Sequence, residues 1–536
     1  MKKINSIKLL LATTAVLTFA SCDRGFVDVN QTPYNQNTID PGILLSSAER
    51  FLSTGSWEVE STIVQQFVNA VNAGATKGFQ FNEINGNETY NRIRWNQMYD
   101  QPNGAVRLLD RALELAKTDP RKNLIPMLRI LRAMNYMILV DTYGDVPYSE
   151  ANKGFPSALI TNPKYDKDSD IYTDLYKELK EARAALDPAN VPTNAVNTDI
   201  LYGTSATATN PTVQIPKWQR LAGSLMLRLG MRYTKIDVAK ATAIVADALS
   251  STGVMTSTSD NALIPFNATD NNPLNAGPRG TNPFNYYLYD TFVNNLKDNK
   301  DPRGKYIVAT YQAPNVINGI PQDTVLANQF GFPLGYSDGN ISSAPGYKGL
   351  AQVGAGWRYS QLNYNSFGSN TAPIFLVTYA QTQLLLADAA VRGIVAGGMV
   401  QAVTYYNAGI RASMDEYPLY PNTAAIPANT YNSYINMPNV LVTVATPTAT
   451  ALDRINTQYW IASLGIQSEV WANYRRTGYP VLPVNPFGGI VIPGGGFARR
   501  IPYPFIERSV NPAGYNAAVA RIGGTDNIVP RVFWDQ

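Results

Sequence analysis

The segment Lys217-Trp-Gln-Arg-Leu-Ala-Gly-Ser-Leu-Met-Leu-Arg-Leu-Gly-Met-Arg232 decides the fold class of this chain. Its apolar residues recur at helical spacing, as Trp218, Leu221, Leu225 and Leu229. This pattern predicts an amphipathic α-helix with one buried face. Arg220, Arg228 and Arg232 are separated by multiples of four residues and share a face. We expect them to pair with carboxylates of the next helix.

The same periodicity recurs over much of the chain. Helices are expected from Pro41, over Ile63–Val71, Trp95–Lys117, Leu124–Val140, Ile171–Leu186, Ile374–Arg392 and Thr448–Arg475. Antiparallel helix pairs with short turns are typical of tetratricopeptide-type packing, although no strict repeat of about 34 residues is present. The sequence therefore predicts a mostly α fold, a degenerate tetratricopeptide-like scaffold of helical pairs with long irregular loops.

Residues 254–373 differ in composition from the rest. They are rich in Asn, Pro, Gly, Ser and Tyr and show little helical periodicity. Long loops in a domain are usually functional or disordered, and the aromatic content favours an ordered segment. We expect a single domain over 41–536, in which scaffold helices at about 41–253 and 374–536 flank this loop-rich insertion.

The 536 residues include no histidine and a single cysteine. Histidine-dependent nucleophiles, histidine-bearing zinc or iron sites, thiolate clusters and internal disulfides are therefore excluded. An enzyme of this composition would depend on carboxylates, Lys, Tyr or Ser. Charged residues make up only 16% of the chain and there are 32 tyrosines. Such a composition suits contacts with sugars, peptides or proteins, and equally a long-looped extracellular protein.

The formal net charge of +4 does not indicate a nucleic-acid partner. Lys2, Lys3 and Lys8 lie in an N-terminal segment that we expect to be removed. Without them the chain has 41 basic and 40 acidic residues. A nearly neutral chain lacks the positive field that attracts nucleic acids.

The N-terminus has the pattern of an export signal. A basic start precedes an apolar stretch from Ile7 to Ala20, and Ser21 and Cys22 follow. A basic start, a short apolar stretch and small residues at the end are typical of signal peptides. The cysteine is similar in position to the acylated cysteine of a bacterial lipobox. We expect 1–21 to be a signal peptide and 22–40 a lipidated tether, the alternative being a secreted protein with an incidental cysteine.

Six segments in order resemble motifs of the SusD/RagB family of nutrient-binding outer-membrane lipoproteins. They are Asp141–Glu150 (DTYGDVPYSE), Lys217–Arg232, Asp301–Arg303 (DPR), Tyr379–Ala390 (YAQTQLLLADAA), Glu469–Pro480 (EVWANYRRTGYP), and Arg499–Pro504 (RRIPYP) with Arg531–Asp535 (RVFWD). Together they span nearly the whole mature chain. The resemblance implies that the chain folds as a SusD-like α-α superhelix. It also implies that the lipid alone attaches the protein to the outer membrane and that the protein faces the extracellular side. It also implies a SusC-like TonB-dependent transporter as partner and a captured nutrient, with a glycan or oligosaccharide as the first choice and a peptide as the second.

The motif residues also have structural explanations. Gly144 and Pro147 would end a long helix, because glycine can adopt a left-handed cap and proline prevents continuation. Asp388 lies on an otherwise apolar helix and must be exposed, or paired if it is buried. A last group, expected to fasten the C-terminal helix to the body, is Trp471, Tyr474, Arg475 and Arg476. The motifs are therefore poor candidates for the ligand site.

The resemblance implies a ligand site formed by loops between scaffold helices. Three segments hold aromatic residues outside the helical pattern. The candidate ligand contacts are Phe79, Phe81, Asn82 and Tyr90 in the first, Tyr286 in the second, and Trp357, Arg358 and Tyr359 in the third. Trp357 beside Arg358 combines a stacking surface with a charged hydrogen-bond donor. Each of these aromatics could instead pack within its own loop.

Two other classes of function are open. A glycoside hydrolase needs two carboxyl groups about 5 to 10 Å apart, yet the first candidate loop holds only Glu83 and Glu88 and the stretch from Gly346 to Phe367 holds no acid. We therefore expect no enzyme. A structural or adhesive surface protein would bind neither a small ligand nor a transporter. No cofactor is expected, and calcium stays open because the loops are rich in oxygen ligands but lack EF-hand spacing.

Overall fold

The computed structural model describes residues 39–52, 57–71, 88–100, 103–153, 160–203, 210–279, 285–311, 323–350, 356–487, 492 and 496–536. Five residues singled out from the sequence, Cys22, Phe79, Phe81, Asn82 and Glu83, lie outside these ranges. The predicted signal peptide does so too, as does the predicted tether except for its last two residues.

Helices dominate the described chain, which confirms the mostly α fold. They are α1 (Pro41–Leu52), α2 (Glu60–Ile63), α3 (Glu88–Asn91), α4 (Ile93–Tyr99), α5 (Ala105–Leu115), α6 (Leu124–Tyr143), α7 (Asp168–Ala185), α8 (Pro211–Arg232), α9 (Val238–Leu249), α10 (Pro273–Arg279), α11 (Asp290–Asp298), α12 (Gly304–Ile307), α13 (Tyr379–Val391), α14 (Gly398–Asp415), α15 (Ala428–Ile435), α16 (Thr448–Ala462), α17 (Gln467–Thr477), α18 (Glu507–Val510) and α19 (Pro512–Arg521).

Helices that follow one another in the chain pack side by side. α1 contacts α5, α5 contacts α6, and α6, α7 and α8 each contact the next helix along the chain. In the C-terminal part α13 lies against α14 and α16, and it also contacts α8. The predicted apolar face of α8 is completely buried at Trp218, Leu221, Leu225 and Leu229. One continuous apolar core therefore joins both groups of helices.

The strands of the described chain are short and pair two by two in antiparallel fashion. They are β1 (Phe67–Asn69) with β5 (Tyr286–Leu288), β2 (Val146–Pro147) with β3 (Tyr165–Asp166), β4 (Ala262–Ile264) with β8 (Ile374–Val377), and β6 (Val308–Ala309) with β7 (Gln361–Leu362). Four of these strands and helices α10 to α12 lie within 254–373. The pairings with β1 and β8 connect this loop-rich region to the scaffold.

Two helices expected from the sequence are partly strands. The helix expected over Ile63–Val71 ends at Ile63, and strand β1 follows. The helix expected from Ile374 begins only at Tyr379, because β8 comes first. Branched and aromatic residues favour strands when a partner is at hand. Strands β5 and β4 supply these partners.

Two further helices are interrupted where the sequence predicted continuity. The helix expected over Trp95–Lys117 divides into α4 and α5 just before Gly104, where an added Cβ would lie 2.5 Å from the carbonyl oxygen of Met98. The helix expected over Thr448–Arg475 divides into α16 and α17 at Gly465, which has a φ of +86°. Only glycine fits such positions without strain.

Candidate functional site

Strand β5 divides the candidate residues between two sides. Tyr286 and Tyr287 are consecutive, and successive strand residues point to opposite faces. Tyr286 stacks on Phe67 with ring centres 5.7 Å apart and packs against the main core. Tyr287 packs on the other side, against Trp357 and Tyr359. The structure therefore brings Trp357 and Tyr359 together with Tyr287 rather than with Tyr286.

A second apolar cluster, separate from the main core, lies on the Tyr287 side; we call it the aromatic cluster. It comprises buried Val68, Ala70, Tyr287, Tyr289, Phe332, Ile341, Ala344 and Tyr359, with half-buried Leu334, Tyr336, Tyr347 and Trp357 at its edge. The rings of Tyr287, Phe332, Trp357 and Tyr359 have centres 5.2 to 6.4 Å apart. Stacked, tilted and edge-to-face contacts at these distances are favourable. The buried rings can therefore support the ring of Trp357 at the edge of the cluster.

Trp357 is one of the half-buried residues through which the aromatic cluster reaches the surface. Its ring lies 5.9 Å from that of Tyr287 and 6.2 Å from that of Phe332. Its backbone N–H donates to the hydroxyl of Tyr287 at 3.0 Å. The side chain is half-buried, and its indole N–H has no hydrogen-bond partner among the described residues. A ring that is supported on one side and keeps a free donor is suited to binding a sugar or a peptide.

The two residues after Trp357 have different surroundings. Arg358 is exposed, and its guanidinium forms no hydrogen bond or ion pair with a described residue. Tyr359 is only 4% exposed, its hydroxyl accepts the backbone N–H of Lys348 at 3.4 Å, and burial raises its pKa. Arg358 can therefore reach a ligand directly, whereas Tyr359 supports the cluster from inside.

Tyr90 and Tyr286 meet around Glu58 on the other side of β5. The amide of Asn69 donates to Oε1 of Glu58 at 2.7 Å, and the hydroxyl of Tyr286 lies near this carboxylate. Burial, reinforced by Glu58, raises the pKa of both tyrosines. Residues 72–87, with the other three candidates of the first segment, lie outside the described residues. Tyr90 is 5% exposed. Its side chain is therefore buried and offers little surface to a ligand.

The three arginines of the motif on α8 form ion pairs within the scaffold. The pairs are Arg220 with Asp260 at 2.7 Å, Arg228 with Glu469 at 3.2 Å, and Arg232 with both Asp141 at 3.2 Å and Glu469 at 2.6 Å. The prediction that these arginines pair with carboxylates is confirmed. The expectation that the next helix supplies the partners is wrong, because they come from α6, α17 and the segment after α9. The motif therefore holds the scaffold together.

A pocket inside the scaffold lies apart from the candidate residues. It is lined by apolar side chains such as Met134 and Phe375 and by the charged side chains of Arg94 and Glu469. These charges already have partners: Arg94 lies 2.8 Å from Glu60, and Glu469 binds the arginines of α8. We therefore assign this pocket to the scaffold rather than to the ligand site.

The described part of the chain shows neither a membrane-spanning helix nor a cluster of metal-ligating side chains. None of the described helices is long and apolar enough to cross a membrane. Nor do three or more His, Cys, Asp or Glu side chains of the described residues come together as they would around a metal ion.

The sequence and the fold both match known proteins. A family model described as SusD-like, starch-binding and associating with the outer membrane matches residues 33–504. The chain belongs to the SusD-like family. This membership confirms the resemblance to the family that the sequence predicted. The match includes every motif except Arg531–Asp535, which lies beyond residue 504.

Solved structures of other SusD-like proteins share this fold. A chitin-binding protein is 27% identical, covers 92% of this chain and 100% of its own, and superposes with a TM-score of 0.73. A Bacteroidetes AC2a SusD-like protein is 27% identical over 93% of this chain and 100% of its own, with a TM-score of 0.75. A chitin-binding SusD homologue from Flavobacterium johnsoniae is 22% identical over 92% of this chain and 98% of its own, with a TM-score of 0.67. Among curated proteins, none matches this SusD-like chain.

Sequence reasoning missed several residues of the aromatic cluster. Tyr287 lies beside the candidate Tyr286, and alternation along a strand would have separated the two. Phe332 belongs to the cluster, and Phe330 lies beside it. Both come from a segment without a recognisable pattern, and their neighbours in space come from residues 357–360. Long-range pairing, which a single sequence does not reveal, brings these residues of the SusD-like chain together.

Proposed function

We propose that this SusD-like chain is a surface-exposed outer-membrane lipoprotein that binds a glycan or oligosaccharide and delivers it to a SusC-like TonB-dependent transporter. Cys22 would carry the lipid that attaches the protein to the membrane. The family description, starch-binding and associating with the outer membrane, supports a carbohydrate ligand. The 27% identical relative whose name states that it binds chitin supports it further.

The observation that carries the proposal is the setting of Trp357. Its ring is backed by Tyr287 and Phe332, its indole N–H is free among the described residues, and the exposed Arg358 follows it in the chain. Sugar rings bind by stacking on an aromatic face, with a few polar groups that set their orientation. Trp357 and Arg358 supply these two elements side by side.

We further propose that the ligand leaves chemically unchanged. Hydrolysis of a glycosidic bond would need a pair of carboxyl groups across the site. The described residues 346–350 and 356–367 hold no acid. Glu88, one of the two acids of the first loop, accepts the backbone N–H of Phe505 at 3.0 Å. This hydrogen bond gives Glu88 a structural role.

A glycan and peptide array tests the proposal with wild type, Trp357→Ala and Tyr405→Ala. Tyr405 is a half-buried aromatic on scaffold helix α14 and serves as the matched control. We expect an oligosaccharide to bind wild type and Tyr405→Ala alike, and Trp357→Ala to bind it about tenfold more weakly, since an aromatic contact contributes about 0.5–1.5 kcal/mol beyond its buried area. Unchanged affinity in Trp357→Ala would show that this surface is not the site.

Two further measurements test the remaining parts. A pull-down from outer membranes should recover a TonB-dependent barrel, and its absence would contradict delivery to a transporter. Incubation of polysaccharides with pure protein should release no reducing ends. If reducing ends appear and are lost in Glu88→Gln, the protein is an enzyme and not a binding protein.

A further inference from the structure

Phe330, Gly349 and the segment Arg358–Ser360 lie together at one edge of the aromatic cluster. The backbone N–H of Ser360 donates to the carbonyl of Phe330 at 2.7 Å, and the N–H of Phe330 donates to the hydroxyl of Ser360 at 2.9 Å. The N–H of Arg358 donates to the carbonyl of Gly349 at 3.1 Å. Phe330, Arg358 and the residues next to Gly349 therefore lie side by side.

Phe330 has the ammonium groups of two lysines near its ring at this edge. Its ring centre lies 3.8 Å from Nζ of Lys348 and 4.8 Å from Nζ of Lys297, which reaches it from α11. The two Nζ atoms are thus no further apart than the sum of these distances. Two cations that are this close repel each other unless a negative charge lies near them. Because ammonium groups occupy its ring, Phe330 organises positive charge here rather than offering a free stacking surface.

No carboxylate neutralises these cations within the described part of the chain. Lys297, Lys348 and Arg358 form no ion pair with a described residue, and Lys297 donates only to the carbonyl of Gln329 at 3.1 Å. The first residue of α11, Asp290, accepts the backbone N–H of Thr291 at 2.8 Å, and burial raises its pKa. This carboxylate is engaged by the backbone of its own helix and forms no ion pair with the three cations. This edge contrasts with the scaffold, where the arginines of α8 are matched by carboxylates.

We infer that the ligand of the aromatic cluster is an acidic oligosaccharide, whose carboxylate or sulfate groups bind Arg358 and Lys348 while a sugar ring stacks on Trp357. This inference rests on the proposed function and specifies its substrate class. A neutral oligosaccharide would use the tryptophan but leave the positive charges without partners. A carboxylate or sulfate pairs with guanidinium and ammonium groups through charge-assisted hydrogen bonds, and Lys297 adds to the attraction at longer range.

Calorimetric titration of the full mature chain tests this inference with five probes. They are an oligogalacturonate, a chondroitin sulfate oligosaccharide, a chito-oligosaccharide, a malto-oligosaccharide and a poly-glutamate peptide. We expect one of the acidic sugars to bind at least about tenfold more tightly than either neutral sugar. Its affinity should fall as the salt concentration rises from about 50 to about 300 mM, because exposed charges are screened. The two acidic probes distinguish a carboxylate from a sulfate as the bound group.

Charge-removing variants give the second measurement. Lys348→Gln and Arg358→Gln should each weaken binding of the acidic sugar about threefold to tenfold and reduce its salt dependence. Lys177→Gln removes the same charge from the exposed face of α7 and should bind as wild type does. Thermal melting of each variant checks that the fold is intact.

The possible contrary outcomes separate this inference from the proposed function. Equal or tighter binding of a neutral sugar would overturn the acidic ligand and leave glycan binding in place. Tighter binding of poly-glutamate than of every sugar would overturn the inference in favour of a peptide. Binding of no probe, together with no hit on the array, would overturn both.

Discussion

Asp388 and Arg476 form an ion pair that is completely closed to solvent. Oδ2 of Asp388 lies 3.1 Å from Nη2 of Arg476, and neither side chain has exposed surface. Asn456 donates to the same oxygen of Asp388 at 2.8 Å, and Arg392 lies 2.5 Å from the other oxygen. The pair joins α13 to α17, so two motifs that are far apart in the chain meet in one charge cluster. This confirms that Asp388 is paired because it is buried.

The first prediction concerns this pair. Burial alone would raise the pKa of Asp388, but Arg476 and Arg392 outweigh it and hold the pKa at about 2. Asp388→Asn keeps the shape and removes the charge, which leaves a buried arginine without its counter-ion. We expect the free energy of unfolding to fall by about 3–5 kcal/mol near neutral pH, measured by urea denaturation.

The control for this prediction is an exposed pair of the same kind. Asp415 and Arg411 form an ion pair on the surface of α14, and Asp415→Asn should cost less than about 1 kcal/mol. Similar losses in the two variants would contradict the assignment of Asp388 to a buried cluster. Wild type should also lose stability as the pH falls from 3.8 towards 2, where Asp388 becomes protonated in the folded state.

The second prediction concerns Glu416, which follows α14 and is 6% exposed. Burial raises its pKa to about 8 from an ordinary value of 4.5, although Asn261 donates a hydrogen bond to it at 3.2 Å. The folded state therefore binds a proton that the unfolded state releases at lower pH. This contribution to stability is complete below about pH 4.5 and is lost as the pH rises to about 8, at no more than about 1.4 kcal/mol per pH unit.

Glu416→Gln should remove that pH dependence, because an amide does not titrate. Urea denaturation at several pH values between about 5 and about 8 should show a smaller decline in the free energy of unfolding than wild type shows. Asp415→Asn, one residue earlier, should retain the decline. If Glu416→Gln declines as steeply as wild type, the carboxyl of Glu416 is not the group that titrates.

The third prediction compares two glycines that end helices. Gly144 ends α6 with φ +81° and ψ −120°, whereas Gly478 ends α17 with φ +76° and ψ 8°. The predicted helix stop at Gly144 is confirmed, but its ψ lies outside the left-handed helical region that was expected. Asparagine adopts the left-handed region at little cost, whereas only glycine readily adopts the conformation of Gly144.

We therefore expect Gly144→Asn to destabilise the protein by about 1–3 kcal/mol and Gly478→Asn by less than about 1 kcal/mol. Thermal unfolding of the two variants beside wild type measures the difference. A crowded environment is not the cause at Gly144, because an added Cβ would have its nearest neighbours 3.8 Å away. Equal losses at both positions would show that backbone conformation does not decide the effect.

The fourth prediction uses the two sides of β5. Tyr287→Phe removes the hydroxyl that accepts the backbone N–H of Trp357. We expect this variant to bind the oligosaccharide about threefold to tenfold more weakly, since a lost hydrogen bond costs about 0.5–1.5 kcal/mol. Tyr286→Phe removes a hydroxyl near Glu58 on the opposite side of β5 and should bind as wild type does. Equal weakening in the two variants would place the ligand on both sides of the strand.

The fifth prediction concerns attachment to the membrane. Cys22→Ser should prevent incorporation of labelled palmitate and move the protein from the membrane fraction to the soluble fraction. Acyl chains anchor a protein by about 0.8 kcal/mol per buried methylene, and losing them leaves little attraction to the bilayer. Ser21→Ala keeps the cysteine and should remain membrane-bound. Membrane attachment of Cys22→Ser would show that a different part of the protein provides the anchor.

The sequence by itself determined the helical scaffold and its family. The apolar face of α8 and the end of α6 before Gly144 followed from residue spacing. The cost of burying a charge required that Asp388 be paired if it is buried. These features depend on residues within a few turns of one another, or on a single group that cannot stay unpaired. Local pattern is sufficient for them.

Only the tertiary structure decided where the strands lie, which side chains pair and how the candidate site is arranged. Residues 63–71 have a helical pattern, yet β5 draws Phe67–Asn69 into a strand. Phe330 meets Lys348 and Lys297 because chain segments separated by loops close on one another. Such contacts are stabilised by burial and charge between distant residues, and a single sequence carries no periodic signal for them.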